Sequence, residues 1–134
     1  MKTILHVEDD PIIAHVYRQA MIRAGFTVVG AEDGLIASKT LFKSKPDLVV
    51  LDLLMPKLAG ADVIKFIRSS AALKDLPVIV LSEAGIADQG VGAAALGADR
   101  VLYKHQCTPS VLVGVIREFL AGAAPGAATA ATPK

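Results

Sequence analysis

Residues 46–56 read PDLVVLDLLMP: four consecutive aliphatic side chains, Leu48-Val49-Val50-Leu51, stop at one carboxylate, Asp52, just before a proline-punctuated loop. An unbroken aliphatic run of this length predicts a strand covered on both faces, as in a parallel sheet. A carboxylate inside such a strand would be costly to bury alone. At the carboxyl end it can instead face the crevice where open α/β sheets bind ligands.

The rest of the chain supplies neighbours for that strand. Apolar runs at Thr3–Val7, Thr27–Ala31, Asp47–Leu51, Val78–Leu81 and Arg100–Tyr103 alternate with segments of helical length. Asp10-Pro11 opens the first helix as a capping residue followed by proline in the first turn. Ile13, Val16 and Ala20 are its expected buried stripe, and Gly25 its stop. Further helices are expected over Asp33–Ser44 and Ala61–Ser70. Thr108-Pro109 opens the last one, with Leu112, Val115, Ile116, Phe119 and Leu120 as its apolar face. The segment Ser82–Ala98 holds Gly85, Gly90, Gly92 and Gly97, and predicts only a short or mobile helix. Strict alternation argues for an α/β fold, a five-stranded parallel sheet of order 2-1-3-4-5 with helices on both faces. That order makes the first and third strands neighbours at the switch point.

A chain of 134 residues is one domain by length. The expected division is a folded domain over 1–121 and an Ala/Gly/Pro-rich tail or linker over 122–134. Net charge is +1, with two Tyr, four Phe and no Trp, so neither a basic stripe nor a base-stacking platform is present. The single Cys107 excludes an internal disulfide. Acid at Glu8 interrupts any signal-peptide core, and no apolar stretch approaches the ~20 residues of a membrane span. The expectation is a cytoplasmic protein with no direct nucleic-acid or membrane partner.

Acid also ends the first strand: Glu8, Asp9 and Asp10 follow His6-Val7. With the first and third strands adjacent, Glu8 and Asp9 fall close to Asp52. Two carboxylates at ~4 Å repel by about 4 kcal/mol at an effective dielectric near 20, so protons or a cation must relieve the crowd. Oxygen-only ligands at an open site suit Mg²⁺, which keeps waters and accepts a phosphate oxygen. Ser82 ends the fourth strand and Lys104 the fifth, bringing a hydroxyl and an ammonium to the same edge. The set suits phosphoryl transfer onto Asp52, an aspartate nucleophile whose product charge metal, lysine and hydroxyl would share. Asp10 reads as a helix cap, His6 as a strand histidine with a satisfied ring, and His15 as a surface residue. No histidine shows zinc-ligand spacing. Gly90–Ala95, GVGAAA, fits a dinucleotide fingerprint only formally, because no strand immediately precedes it.

Taken in order, ILHVEDDP, PDLVVLDLLMP, LPVIVLS and GADRVLYK closely resemble the receiver domains of two-component response regulators. The resemblance covers roughly Lys2–Leu120. It implies that Asp52 is the phosphoacceptor and that Glu8 and Asp9 organise Mg²⁺. The Leu54 main-chain carbonyl would complete the metal's protein ligands. Ser82 and Lys104 would bind the phosphoryl oxygens. The implied donor is a phosphohistidine on a sensor histidine kinase or histidine phosphotransfer protein, and the output is contact with a downstream protein. A phosphorylation-linked dimer is conceivable on the same grounds. Arg18, Gln19 and Ile22, expected on the exposed side of the first helix, would form the kinase-docking surface. Segment 82–98, the fifth strand and the last helix would form the output face.

Three positions depart from the family pattern. Glu83 follows Ser82 where a small residue is usual, and Val101 stands where an aromatic switch residue is frequent. Tyr103 shares Val101's strand face. His105 follows Lys104 where proline and a cis bond are typical, so a trans Lys104–His105 peptide is expected. These departures give footing to an alternative, a receiver-like interaction module that works without phosphorylation. A phosphatase of the aspartyl-phosphate kind would need a second acid two residues after the nucleophile. Leu54 stands there and cannot transfer a proton, so no external turnover is expected.

Overall fold

The structure, a computed structural model, describes residues 2–53, 60–82 and 97–121, with Ser82 described by its backbone only. Five strands, β1 (Thr3–Val7), β2 (Thr27–Ala31), β3 (Leu48–Asp52), β4 (Val78–Ser82) and β5 (Arg100–Tyr103), form one sheet of order β2-β1-β3-β4-β5. Every neighbouring pair is parallel. The helices are α1 (Pro11–Arg23), α2 (Gly34–Lys43), α3 (Gly60–Ser69) and α4 (Pro109–Ala121). This is the doubly wound α/β architecture that the alternating pattern implies.

Parallel strands need right-handed crossovers, and the reversal of winding direction after β2 puts α1 on one face and α2 and α3 on the other. α1 and α4 close one face over Ile4, Leu48, Val50, Ile79 and Leu81. α2 and α3 close the other over Leu5, Val7, Val49, Leu51, Val78 and Val80. Leu48 to Leu51 are therefore wholly buried, odd and even residues in different layers. The aliphatic run is continuous because both of its faces are interior.

Two local expectations are corrected. Asp52 is the last residue of β3, not the first beyond it, and Asp47 precedes the strand. The Asp47 carboxylate instead accepts from the Thr3 N–H at 2.7 Å. On α1 the buried residues are Ala14, Tyr17 and Met21, while Val16 is 47% exposed. The stripe is turned by one position because Tyr17 packs in the α1–α4 layer and its hydroxyl donates to the buried Cys107 carbonyl. A phenol with a partner and a methionine bury more surface than Val16 would.

The start of β4 and β5 is fixed by Arg68, near the end of α3. Its guanidinium donates to the carbonyls of Gly97 (2.9 Å), Lys74 (3.0 Å) and Leu76 (2.6 Å) and pairs with Asp99 at 2.8 Å. Asp99 in turn accepts from the Val78 N–H at 2.8 Å. One planar fork thus satisfies loop carbonyls from several turns at once.

Candidate functional site

Strand register delivers the acids. Val7 pairs with Leu51, so the next residues, Glu8 and Asp52, reach the carboxyl edge side by side. The Glu8 N–H still bonds the Ala31 carbonyl at 3.0 Å, which holds it on the sheet for one residue past β1. Asp10 then turns the chain into α1, its Oδ1 accepting from the Ile12 N–H (2.9 Å) and the Ile13 N–H (3.1 Å). Asp10 is a cap, as its sequence context implies. Asp9, between them, is exposed.

Carboxylate oxygens of Glu8, Asp9 and Asp52 all lie within 4.8 Å of one another. Lys104, directly after β5, reaches into this group, its Nζ 3.0 Å from Glu8 Oε1 and 3.3 Å from Asp52 Oδ2. Glu8 and Asp52 are buried, at 2% and 4% exposure. Burial, then the Asp52 charge, push the Glu8 pKa from 4.5 up to about 7, with Lys104 opposing them. Burial works against the Lys104 charge too, but the Asp52 and Glu8 carboxylates outweigh it and its pKa is raised. Glu8 Oε1 faces the Lys104 ammonium at 3.0 Å, and its Oε2 accepts from the Asp10 N–H at 3.2 Å. Three carboxylates crowded this closely are a set of oxygen ligands that suits a hard divalent cation.

The backbone around Asp52 is tightly built. Gly60, the first residue of α3, donates its N–H to the Leu53 carbonyl at 3.2 Å. A Cβ at this position would lie 2.6 Å from the Asp52 carbonyl oxygen. Only glycine lets α3 start this close to the acid-bearing strand end. Beside the acids, a cleft of about 500 Å³ opens between α1 and the end of β2, with Glu8, Asp9, His15, Arg18, Gln19 and Glu32 among its walls.

The response regulator receiver domain family model matches residues 4–117. The chain belongs to that family. The receiver is 36% identical over 101 residues to the probable transcriptional regulatory protein SilR of Salmonella typhimurium, an alignment covering 75% of this chain and 43% of SilR. The chain thus spans less than half the length of that curated relative. Among solved structures it superposes on the phosphorylated cyanobacterial phytochrome response regulator RcpA with TM-score 0.83 and 29% identity, covering 91% of this chain and 96% of that one. The Mn²⁺-bound form of response regulator Rcp1 superposes with TM-score 0.78 and 26% identity, over 90% and 94% of the two chains.

The receiver brings Glu8, Asp9, Asp52 and Lys104 together. The Leu54 carbonyl, the Ser82 side chain, Glu83, the GVGAAA stretch and the helix expected within 82–98 lie outside the described residues. The Lys104–His105 peptide is trans, and Lys104–Gln106 winds into a single 3-10 turn. Val101 packs against the α2–α3 layer. Among the described residues, no helix is long and apolar enough to cross a membrane.

Arg18 requires a correction. Instead of standing free on α1, it folds onto the sheet, its Nε donating to His6 Nδ1 at 2.9 Å and its Nη2 to the His6 carbonyl at 3.2 Å. The guanidinium lies over Gly30, where any side chain would collide with it. Burial first, then the Arg18 and Lys104 charges, lower the His6 pKa to about 3, so the ring stays neutral and accepts. Gly30 in an apolar strand was the available sequence signal, since such a glycine marks close approach by another group. Gly60 carried no comparable signal.

Proposed function

We propose that this receiver accepts a phosphoryl group on Asp52 from a phosphohistidine of a sensor kinase or phosphotransfer protein, and signals through protein contacts. The observation that carries this reading is the convergence of three carboxylates within 4.8 Å of one another, two of them paired with Lys104. As the Asp52 oxygen bonds to phosphorus, the donor's P–N bond breaks and its electron pair stays on the imidazole nitrogen. Asp52 supplies the nucleophile, and Lys104, already 3.3 Å from it, neutralises charge on the phosphoryl oxygens. Glu8, Asp9 and Asp52, with the Leu54 carbonyl, would hold Mg²⁺. Bound there, the cation would shield the acids from the incoming phosphoryl charge and orient one of its oxygens. The Ser82 hydroxyl would bind another. Support comes from the relatives: RcpA is described as phosphorylated and Rcp1 as Mn²⁺-bound.

The protein on this reading is an acceptor that loses its own phosphate slowly, and it turns over no external phosphomonoester. SilR is named a transcriptional regulator, but this chain covers 43% of it. Protein contact, rather than DNA binding, is the output proposed for the present residues. Intact-mass measurement after incubation with Mg²⁺ and acetyl phosphate tests the reading. Gain of one phosphoryl group, lost in Asp52→Asn, supports it. No gain with acetyl phosphate or with phosphorylated donor proteins would mean a module that works without phosphorylation.

A further inference from the structure

The face covered by α2 and α3 leaves a large aromatic in water. Phe42, in the last turn of α2, is 85% exposed although its neighbour Leu41 is buried. It stands between two adjoining hollows of about 310 and 400 Å³, both walled by the half-buried Phe66 of α3. Lys39, Lys43 and Lys45 rim them, and neither is lined by an Asp or Glu. None of these lysines forms an ion pair among the described residues. Leu35, 43% exposed, continues the track, because residues 35, 39 and 42 share one helical face.

A single exposed apolar residue needs no explanation. An aromatic beside apolar hollows, ringed by one sign of charge, has the anchor-and-rim layout of an interface. We infer that this groove docks an acidic segment of another protein, which seats an aliphatic or aromatic side chain against Phe42 and Phe66 and sets carboxylates against Lys39, Lys43 and Lys45. Charge decides the occupant. A second copy in two-fold contact would oppose lysines to lysines. Residues 122–134 of the chain itself contain no Asp or Glu. The position also matters: α2 runs back from the carboxyl edge of the sheet, so its last turn lies at the end remote from Asp52. Docking there leaves the acid pocket open, and the inference does not depend on Asp52 being phosphorylated.

A random peptide library displayed on phage, panned on the full chain and counter-panned on Phe42→Ser, tests this. Clones specific to the unmodified chain should carry Asp or Glu on both sides of an apolar residue. A synthetic peptide from the leading clone should bind roughly tenfold or more weakly to Phe42→Ala. It should also weaken several-fold with Lys43→Glu, and progressively with added salt. Circular dichroism checks that these surface variants keep the fold, and Lys39→Glu serves as a second charge variant. Clones that ignore Phe42, or that depend on it but lack acid, overturn the inference. So does Phe42-dependent binding to phosphatidylglycerol vesicles in place of peptides, or Phe42-dependent self-association in sedimentation.

Discussion

Replacing Glu8 by glutamine keeps the side chain's shape but removes a buried charge, and the geometry sets how that change should vary with pH. Glu8 has its pKa raised from 4.5 to about 7, chiefly by burial and then by Asp52. A gap of about 2.5 units corresponds to ~3 kcal/mol of differential stability. Repulsion is of that order: two carboxylate charges at the 4.8 Å outer limit of the group cost about 3.5 kcal/mol at an effective dielectric of 20. The folded state holds this proton more tightly than the unfolded chain does. The Glu8 contribution is therefore fully present below pH 4.5 and is lost as pH rises through about 7.

His6 runs in the opposite direction. Its pKa falls from 6.5 to about 3 on folding, so its contribution is present above pH 6.5 and is lost as pH falls through 3. The two slopes oppose each other over the shared window, and the wild-type curve alone is uninformative. The reading must come from the difference between proteins. Urea unfolding in EDTA, from about pH 4.5 to about 8, should show Glu8→Gln gaining on wild type by ~3 kcal/mol across that range. Adding Mg²⁺ at the alkaline end should stabilise wild type more than the variant, because the cation competes with that proton. A difference that stays constant with pH would refute the electrostatic account of the pocket.

Other perturbations have equally direct readouts. Gly60→Ala drives a Cβ to 2.6 Å from the Asp52 carbonyl; overpacking of this kind should cost ~1–3 kcal/mol in chemical denaturation and slow phosphorylation by acetyl phosphate. Arg68→Lys keeps the charge but cannot reproduce the fork that meets Gly97, Lys74, Leu76 and Asp99. Stability should fall by about 1–2 kcal/mol, since the part-buried Gly97 and Leu76 carbonyls lose donors. Amide exchange should quicken at the start of β4. Burial pushes the Cys107 thiol up to about 11, so iodoacetamide should label the folded protein far more slowly than the urea-unfolded chain. Equal rates would place Cys107 at the surface.

What the sequence made legible follows from which forces are local. Leu48 to Leu51 announced a doubly covered strand because burial on both faces acts on every residue of the run. Asp10-Pro11 announced a helix start because capping needs only the next three residues. The edge where Glu8, Asp52 and Lys104 meet followed from topology alone, since parallel strands end on one side. The side-chain partners were not legible. Whether Val16 or Tyr17 faces inward depends on a carbonyl 90 residues away. Arg18 leaves the solvent for His6 and Gly30 because two strands, adjacent only after folding, offer an acceptor and a gap. Such choices are made by tertiary contact, and helical periodicity cannot rank them.

The pocket also shows why a receiver needs a counter-charge beside its acids. Glu8 and Asp52 are buried in a group whose mutual repulsion is a sizeable fraction of the stability of a small domain. Lys104 offsets part of that cost by touching both acids at once. Those two contacts have different fates on the proposed reading. Glu8 would help hold a cation, whose charge would offset its own, and the Lys104 ammonium stands 3.3 Å from Asp52, where phosphoryl oxygens would need a counter-charge. Lys104 also opens the 3-10 turn that leads to Cys107, and the Cys107 carbonyl holds the Tyr17 hydroxyl of α1. Lys104 and the α1–α4 layer are thus joined by one short stretch of backbone. Val101 packs in the opposite layer, on the other side of the sheet from that contact.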